Sequence, residues 1–246
     1  MRGNKMRIAA LISGGGTTMQ KVIQACKSGQ LAYAEVVCVI ASNVLAGGIE
    51  KALVEGLPPS KVIVTDPRWY GGCREAFGQA LRSWLRCHEV DFVAQLGWLP
   101  LTPSTIIEKY GNMMINQHPG PLRPDHRDFG GKGMYGRRVH SARLNFVGVT
   151  QRNFWTEAVS QRVAKDFDQG TVIKMRRVPI YSTDEVPTLQ ARVLPVEHEV
   201  QIEAIDDFSQ NRVAEVVFEN DNLVHSWEDP VLAYSKAHGI RNFPQG

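Results

Sequence analysis

The chain has 246 residues, of which 43% are apolar and 22% are charged, and its formal net charge at pH 7 is +3. This composition is that of an ordinary globular protein, long enough to bury a sizeable core, and it excludes a low-complexity chain. The positive charge is too small to argue for a nucleic-acid partner, and no apolar run approaches the length of a membrane span. The four cysteines have neither CxxC spacing nor that of a zinc site. We therefore expect no metal, no disulfide framework and reduced thiols in the cytoplasm.

Apolar strands alternate with helices in the first half of the chain. Five apolar runs have the length of a strand, at 7–12, 35–40, 61–64, 90–96 and 113–117. Residues with helical spacing fill the stretches between them, at 19–28, 48–55, 74–87 and 103–110. Strands that are apolar throughout and separated by helices indicate a parallel sheet covered on both faces. We therefore predict an α/β fold with an open, mostly parallel twisted sheet and helices on both faces, a Rossmann-like arrangement.

The alternation breaks after residue 120. Residues 121–136 are polar and rich in glycine, which predicts a long flexible loop that serves as a lid or a binding loop. A helix at 137–143 and a strand at 146–152 are expected next, and residues 153–162 fit either a pair of strands or a loop. The remaining predictions are a strand at 171–180, a helix at 185–208, a hairpin at 213–226 and a tail without clear periodicity.

The stretch that ends the fifth strand carries an amide and an imidazole. Asn116 and His118 are two residues apart, so on an extended chain they point to the same side, and Pro119 then ends the strand. In open α/β sheets, ligands bind at this end of the strands. An amide can donate to a developing oxyanion and an imidazole can move a proton, so the pair indicates chemistry at a carbonyl. A capped turn with a structural histidine is the alternative interpretation.

A glycine-rich turn follows the first strand and leads into the first helix. Its sequence, Ser13-Gly14-Gly15-Gly16-Thr17-Thr18, places backbone N–H groups and the helix dipole where an anion can approach. It is neither a Walker A loop nor the GxGxxG turn of dinucleotide folds. The residues alone leave two interpretations open, an anion-binding loop and a plain tight turn.

Several stretches of the chain resemble, in the same order, motifs of the folate-dependent formyltransferases. They are residues 10–20 (ALISGGGTTMQ), 39–43 (VIASN), 73–77 (CREAF), 115–122 (INQHPGPL), 167–173 (FDQGTVI) and 196–198 (VEH). The resemblance spans residues 7–205 and is closest to the members that formylate glycinamide ribonucleotide in purine synthesis. It implies a formyltransferase catalytic domain over residues 1–210, with residues 211–246 packed on the same domain as a hairpin and tail.

The resemblance also implies catalytic roles for three residues. It implies that Asn116 donates a hydrogen bond to the formyl oxygen and to the oxyanion of the tetrahedral intermediate, and that His118 polarises that oxygen or shuttles a proton. It implies that Asp168 holds a water molecule and sets the protonation state of the histidine. Without the resemblance, Asp168 is interpreted as a turn aspartate that caps its own backbone.

Binding residues follow from the resemblance in the same way. The phosphate of the acceptor is expected at Gly15, Gly16, Thr17, Thr18 and Arg74, and its glycinamide or ribose end is expected at Glu197. The pterin of 10-formyltetrahydrofolate, the formyl donor, is expected at Trp98, Leu99, Pro100, Ala164, Lys165 and Phe167. The implied partners are a small phosphorylated amine and a folate, with no metal, no nucleic acid and no membrane. A homodimer is one option for assembly.

The chain departs from the pattern of the family at several places. The loop after His118 is longer than usual, and residues 153–165 resemble an insertion. Arg152, preceded by Gln151, is expected where the family usually has a second active-site histidine, and Pro100 where many members have an arginine. These departures leave the three catalytic residues intact and concern the folate pocket and the acceptor.

Other activities stay open within and beyond this family. A nucleotide-linked amino sugar is an alternative acceptor. Methionyl-tRNA as acceptor would call for a C-terminal barrel domain, for which the roughly 35 residues after residue 210 are too few. A formyltetrahydrofolate hydrolase is expected to carry a regulatory domain before the first strand. A non-catalytic, ligand-binding relative is the alternative from a different functional class.

Overall fold

The computed structural model describes residues 5–218 and 223–246. The strands in these ranges are β1 (Met6–Ile12), β2 (Ala34–Ala41), β3 (Val62–Val64), β4 (Phe92–Gln95), β5 (Met114–His118), β6 (Trp155–Arg162) and β7 (Val172–Pro179). The α-helices are α1 (Thr17–Ser28), α2 (Gly48–Val54), α3 (Arg74–Cys87), α4 (Ser104–Tyr110), α5 (Arg137–Thr150), α6 (Val186–Ser209) and α7 (Asp229–Asn242). None of the helices in the described ranges is both long enough and apolar enough to cross a lipid bilayer.

The strands form an open sheet in the order β3-β2-β1-β4-β5-β6-β7. The pairs β1–β2, β1–β4, β2–β3 and β4–β5 are parallel, and β6 and β7 pair antiparallel. The predicted α/β class with a mostly parallel sheet is therefore confirmed, as are the strands and helices predicted before residue 120. From β1 the chain moves outward to β2 and β3 and then returns to β4 on the other side of β1. This reversal makes the carboxyl ends of β1 and β4 a topological switch point, where such sheets bind ligands.

The chain divides into two compact units. The first comprises Met1–Gln117, Arg162–Lys165 and Gln201–Val213, and the second comprises His118–Gln161, Asp166–Val200 and Ala214–Gly246. In the first unit, α3 places Phe77, Leu81 and Leu85 on one face at intervals of four residues. That apolar face is buried in the same core cluster as residues of β1, β2 and β4. The same cluster receives Trp98 from the loop after β4.

In the second unit, α5 packs closely against α7. Val139, Ala142 and Phe146 of α5 share an apolar cluster with Leu232 of α7. Gly239 allows the two helices to approach, because a Cβ atom at this position would lie 2.3 Å from the carbonyl oxygen of Arg138. A separate apolar cluster joins residues of β6, β7 and the first half of α6: Ala158, Val178, Leu189 and Val193 among them.

The predicted strand at 146–152 is wrong, because α5 continues through most of that stretch to Thr150. The β-branched and aromatic residues there favour a strand by propensity. In the structure, Phe146 is instead buried in one apolar cluster with Val139 and Ala142, which recur at helical spacing. Tertiary burial of this helical face therefore overrides the local preference.

The predicted insertion at 153–165 is regular structure, because most of it forms β6, a strand paired with β7. The predicted hairpin is wrong in its described parts, since neither 213–218 nor 223–226 forms a strand there. The hairpin's residues 219–222 lie outside the described ranges. The tail, expected to be aperiodic, contains the 14-residue helix α7.

The segment 121–136 is irregular, as predicted, but it is not an exposed polar loop. Leu122 and Phe129 are buried, with exposed fractions of 1% and 0%. Asp128 folds the chain back on itself: its two carboxylate oxygens accept hydrogen bonds from the backbone N–H groups of Arg123 (2.8 Å) and Gly130 (2.9 Å). The apolar side chains thus anchor the segment in the second unit.

Candidate active site

The glycine-rich turn of the first unit connects β1 directly to α1. Gly16 adopts φ +65°, and a Cβ atom there would lie 2.6 Å from the Cα atom of Gly48. Glycine is therefore required at position 16, both for the left-handed backbone conformation and for the close packing against Gly48. A Cβ atom at Gly14 or Gly15 would meet nothing within 4 Å. These two glycines are exposed, so their backbone is open to a ligand at the start of α1.

Ser13 joins three loops that follow strands of the first unit. Its hydroxyl accepts hydrogen bonds from the Ser42 hydroxyl at 2.7 Å and from the backbone N–H of Leu99 at 2.9 Å. The side-chain amide of Asn43 donates to the Ser13 carbonyl at 2.9 Å. The turns after β1, β2 and β4 are therefore fixed together at the switch point. The sequence analysis did not identify Ser13 as the residue that joins them.

The predicted phosphate ligands differ in their accessibility. Thr17 is half-buried, whereas Thr18 is 3% exposed, so Thr17 offers the more accessible hydroxyl of the two. Arg74 is exposed in the first turn of α3. A cation at the N-terminus of a helix is unfavourable for the helix dipole. Helix stability therefore does not explain Arg74, which is consistent with a role in anion binding.

The predicted pterin residues divide between the two units. Trp98 is buried and stacks on Phe77, with 6.3 Å between ring centroids, so we assign it to the core rather than to a ligand surface. Leu99 is 44% exposed and is the apolar side chain of that loop available to a ligand. Pro100 and Ala164 are half-buried and Lys165 is exposed, all in the first unit. Phe167, half-buried, belongs to the second unit.

Asn116 and His118 both lie in β5, which confirms the predicted strand. Asn116 belongs to the first unit, is half-buried and pairs in register with Gln95 of β4. His118 is the last residue of the strand and has a side chain that is only 3% exposed. Its Nε2 atom lies 3.2 Å from the carbonyl oxygen of Phe129, which favours a proton on that nitrogen.

The structure brings His118 and Asp168 together, although they are 50 residues apart in the sequence. The Nδ1 atom of His118 lies 3.5 Å from Oδ2 of Asp168, whose side chain is 8% exposed. Asp168 adopts φ +57°, a conformation that aspartate tolerates better than most residues. An imidazole can donate or accept a proton, and a carboxylate beside it can orient the ring. The pair can therefore polarise a carbonyl or move a proton.

Two further groups orient the Asp168 carboxylate. The side-chain amide of Gln161 donates to Oδ1 at 2.8 Å, and the backbone N–H of Gly131 donates to Oδ2 at 3.0 Å. Gln161 is 1% exposed and follows a register shift between Ser160 and Gln161 in the β6–β7 ladder. Such a bulge re-aims the side chains next to it. Gln161 therefore stands beside the predicted catalytic carboxylate.

Arg152, expected from the sequence where the family usually has a second active-site histidine, is bound in the structure by groups that precede α7. The guanidinium of Arg152 donates from Nε to a carboxylate oxygen of Glu228 at 2.6 Å and from Nη2 to the carbonyl of Leu223 at 3.1 Å. Arg152 lies after the end of α5 and not on β6. Recognising β6 as a strand ending at Arg162 would have identified Gln161, because the Asp168 turn follows that strand directly.

A second buried imidazole belongs to the same unit. His140 of α5 is 1% exposed, and its Nδ1 has no hydrogen-bond partner among the described residues. Burial lowers the pKa of His140 to about 4, with a further lowering from the charge of His118. His140 is therefore neutral at physiological pH and adds no charge beside His118.

Glu197, the predicted ribose or glycinamide ligand, is also in this unit, 4% exposed on α6. In the described residues, no three His, Cys, Asp or Glu side chains are grouped to hold a metal ion.

Comparisons with known proteins show which family the chain belongs to. A model of the formyl transferase family matches residues 6–205. The chain is 29% identical over 232 residues to a chloroplastic phosphoribosylglycinamide formyltransferase of Vigna unguiculata, covering 92% of this chain and 68% of that protein. It is 30% identical over 196 residues to the trifunctional purine biosynthetic protein adenosine-3 of Bos taurus, covering 80% of this chain and 18% of that protein.

A solved structure gives the same result. Glycinamide ribonucleotide transformylase 1 from Symbiobacterium toebii superposes with a TM-score of 0.73 and 28% identity, over 89% of this chain and 93% of that one. The family match contains β1 to β7, the glycine-rich turn and the His118–Asp168 pair, and it ends before α7. On the strength of a match over most of its length, the chain belongs to the formyl transferase family.

Proposed function

We propose that this protein transfers the formyl group of 10-formyltetrahydrofolate to the amine of glycinamide ribonucleotide in purine biosynthesis. The observation that carries the proposal is the buried His118–Asp168 pair, 3.5 Å apart, at the end of the strand that also carries Asn116. The relatives named for this reaction or for purine synthesis support the choice of acceptor.

Formyl transfer needs a hydrogen-bond donor to the oxyanion, a group that polarises the formyl oxygen and a route for the proton, and the chain has a residue for each. The amine nitrogen attacks the formyl carbon and forms a C–N bond, after which the bond to N10 of the folate breaks. Asn116 donates a hydrogen bond to the developing oxyanion, and His118 polarises the same oxygen. The proton lost by the amine reaches N10 of the leaving folate through the imidazole or through a water molecule held by Asp168. Transfer needs no redox step and no covalent enzyme intermediate.

The binding roles belong to the same proposal. The open backbone at Gly14 and Gly15 and the exposed Arg74 offer donors for a phosphate. The exposed Leu99 fits the apolar face of a pterin, and Pro100 and Ala164 are other accessible positions of that unit. Glu197 is assigned to the ribose or glycinamide end. A cytoplasmic location and a homodimer are part of the proposal, and fractionation and sedimentation velocity test them.

A comparison of acceptors tests the proposal. The purified chain is incubated with 10-formyltetrahydrofolate and, in turn, glycinamide ribonucleotide, a nucleotide-linked 4-amino sugar or no acceptor, and formylated amine and free formate are both quantified. We expect formylation of glycinamide ribonucleotide to exceed that of the sugar by at least about 100-fold. Preference for the sugar contradicts the proposed acceptor. Formate release without an acceptor indicates a hydrolase, and no turnover with any acceptor indicates a binding protein.

A further inference from the structure

Helix α7 lies outside residues 6–205, which the family model matches, and it carries one lysine near the candidate active site. Lys236 is the only lysine of this helix. Its Nζ atom donates a hydrogen bond to the carbonyl oxygen of Gly130 at 2.8 Å. It also lies 4.0 Å from Oδ1 of Asp128, and its side chain is 25% exposed. A partly buried lysine therefore pairs with a short turn of the segment before α5.

That turn, residues 128–131, contacts both members of the His118–Asp168 pair. The carbonyl oxygen of Phe129 lies 3.2 Å from Nε2 of His118, and the backbone N–H of Gly131 donates to Oδ2 of Asp168. Gly130, between them, has no room for a side chain, because a Cβ atom there would lie 2.7 Å from Cβ of Asp168. Any shift of the turn is therefore transmitted to both side chains.

Asp128 supports the turn from within, and the Gly130 carbonyl accepts a side-chain hydrogen bond from Lys236. The ammonium also interacts electrostatically with Asp128 and Asp168, the two acidic groups that face it. Burial lowers the pKa of Lys236, and these two carboxylates raise it in part. Keeping this ammonium partly buried costs free energy, which a purely solvent-facing lysine would not incur.

We propose that Lys236 is a positioning residue for the transfer reaction, holding the 128–131 turn so that Gly131 and Phe129 orient Asp168 and His118. The inference rests on the proposed function for its kinetic consequence. Its structural consequence, an altered environment of Gly131 and His118 when Lys236 is replaced, stands independently of that function. The C-terminal helix is thereby part of the catalytic apparatus of this chain and not an appendage.

Three variants distinguish loss of the contact between Lys236 and Gly130 from a general loss of stability. Lys236→Met removes both the donor and the charge, Lys236→Gln keeps a donor without the charge, and Lys109→Met removes an exposed lysine of α4 as the control. We expect Lys236→Met to lower kcat about 10-fold while the KM values of both substrates change less than about 2-fold, because the substrates' own contacts are untouched. Lys236→Gln should recover part of kcat, and Lys109→Met should match the wild-type protein.

The second readout is the ¹H–¹⁵N spectrum of the ligand-free protein. We expect Lys236→Met to move the Gly131 amide and the His118 ring signals, and Lys109→Met to leave them in place. Wild-type kcat in Lys236→Met, or an unmoved Gly131 amide, overturns the proposal. If Lys236→Met does not fold, Lys236→Gln decides by the same two readouts. If the wild-type protein forms no formylated product, the proposed function fails while the spectra still test the positioning role.

Discussion

The glycine-rich turn of the first unit and the His118 cluster of the second are built in opposite ways. The turn is local: β1, the glycines and α1 are consecutive in the sequence, and its backbone at Gly14 and Gly15 is open. The cluster is assembled from distant segments, since β5, the 128–131 turn, β6, the Asp168 turn and α7 all contribute contacts to it. The side chains of His118 and Asp168 are almost fully buried.

This difference predicts two kinds of mutational response. Substitutions in the open part of the turn should weaken ligand binding and leave the fold intact, because no neighbouring side chain depends on them. Substitutions in the cluster should change turnover, because each group there is held by another protein group and water cannot replace it. Substitution of the buried His140 of the same unit should instead change the stability of the fold in acid.

The largest effect is expected for Asn116→Ala. Loss of an oxyanion donor should lower kcat by about 10²–10³-fold with little change in KM, since the donor acts mainly in the transition state. Gln117→Ala, the neighbouring position of β5, is the matched control and should retain most of the activity. Steady-state kinetics on both variants decides the matter: an equal loss in the two would assign the effect to damage of the strand.

The next largest effect is the loss of folding stability in acid, to which the buried His140 contributes. Its pKa is about 4 in the folded protein against 6.5 ordinarily, so the unfolded state binds the proton first as the pH falls. The stability that this neutral imidazole contributes is complete above pH 6.5 and is lost by about pH 4, about 3 kcal/mol in all. Chemical denaturation between pH 7 and 4 should show a shallower decline for His140→Gln. An unchanged slope would show that His140 does not titrate as described.

Smaller effects are expected for glycine substitutions, which distinguish the structural role of the glycine turn from its proposed role in phosphate binding. Gly16→Ala combines a positive φ with a clash against Gly48 and should destabilise the fold by about 2 kcal/mol. Gly29→Ala has a positive φ but no atom within 4 Å, so it should cost about 1 kcal/mol. Gly15→Ala should leave the unfolding free energy unchanged and raise the KM of the phosphorylated acceptor. An unaltered KM for Gly15→Ala would argue that the turn binds no phosphate.

The smallest effect is expected for Gln161→Leu, which removes one donor from Asp168 at similar volume. We expect kcat to fall about 10-fold, because the hydrogen bond goes to a charged group and Gly131 still holds the other oxygen. Gln161→Glu adds a negative charge beside the carboxylate and should fall further. Activity retained in both variants would remove Gln161 from the site.

The sequence predicted the first half of the fold well and the second half poorly, for a physical reason. Before residue 120 the strands are mostly apolar and most helices have glycine or proline at an end, so local signals suffice. After it, the helical face of α5 competes with a strand-like local composition. Helix α7 has only a weak amphipathic pattern, and its packing depends on the close approach at Gly239. The sequence did carry one usable signal for α7, Asp229-Pro230 at its start.

The same reasoning explains which site residues were found. Asn116, His118 and Asp168 were predicted because they lie in stretches that together resemble the motifs of one family. Gln161 and Lys236 are ordinary polar residues whose roles follow only from their distances to Asp168 and Gly130. The resemblance implied that Trp98 contacts the folate, whereas in the structure Trp98 is buried and stacks on Phe77.

The most direct test of the central claim, that His118 and Asp168 act as one unit in formyl transfer, is a double-mutant cycle on kcat. His118→Ala and Asp168→Ala are measured singly and together with 10-formyltetrahydrofolate and glycinamide ribonucleotide. We expect the double variant to be no slower than the slower single variant, because removing either member disables the pair. Losses that multiply, so that the double variant falls by the product of the two single effects, would contradict the account.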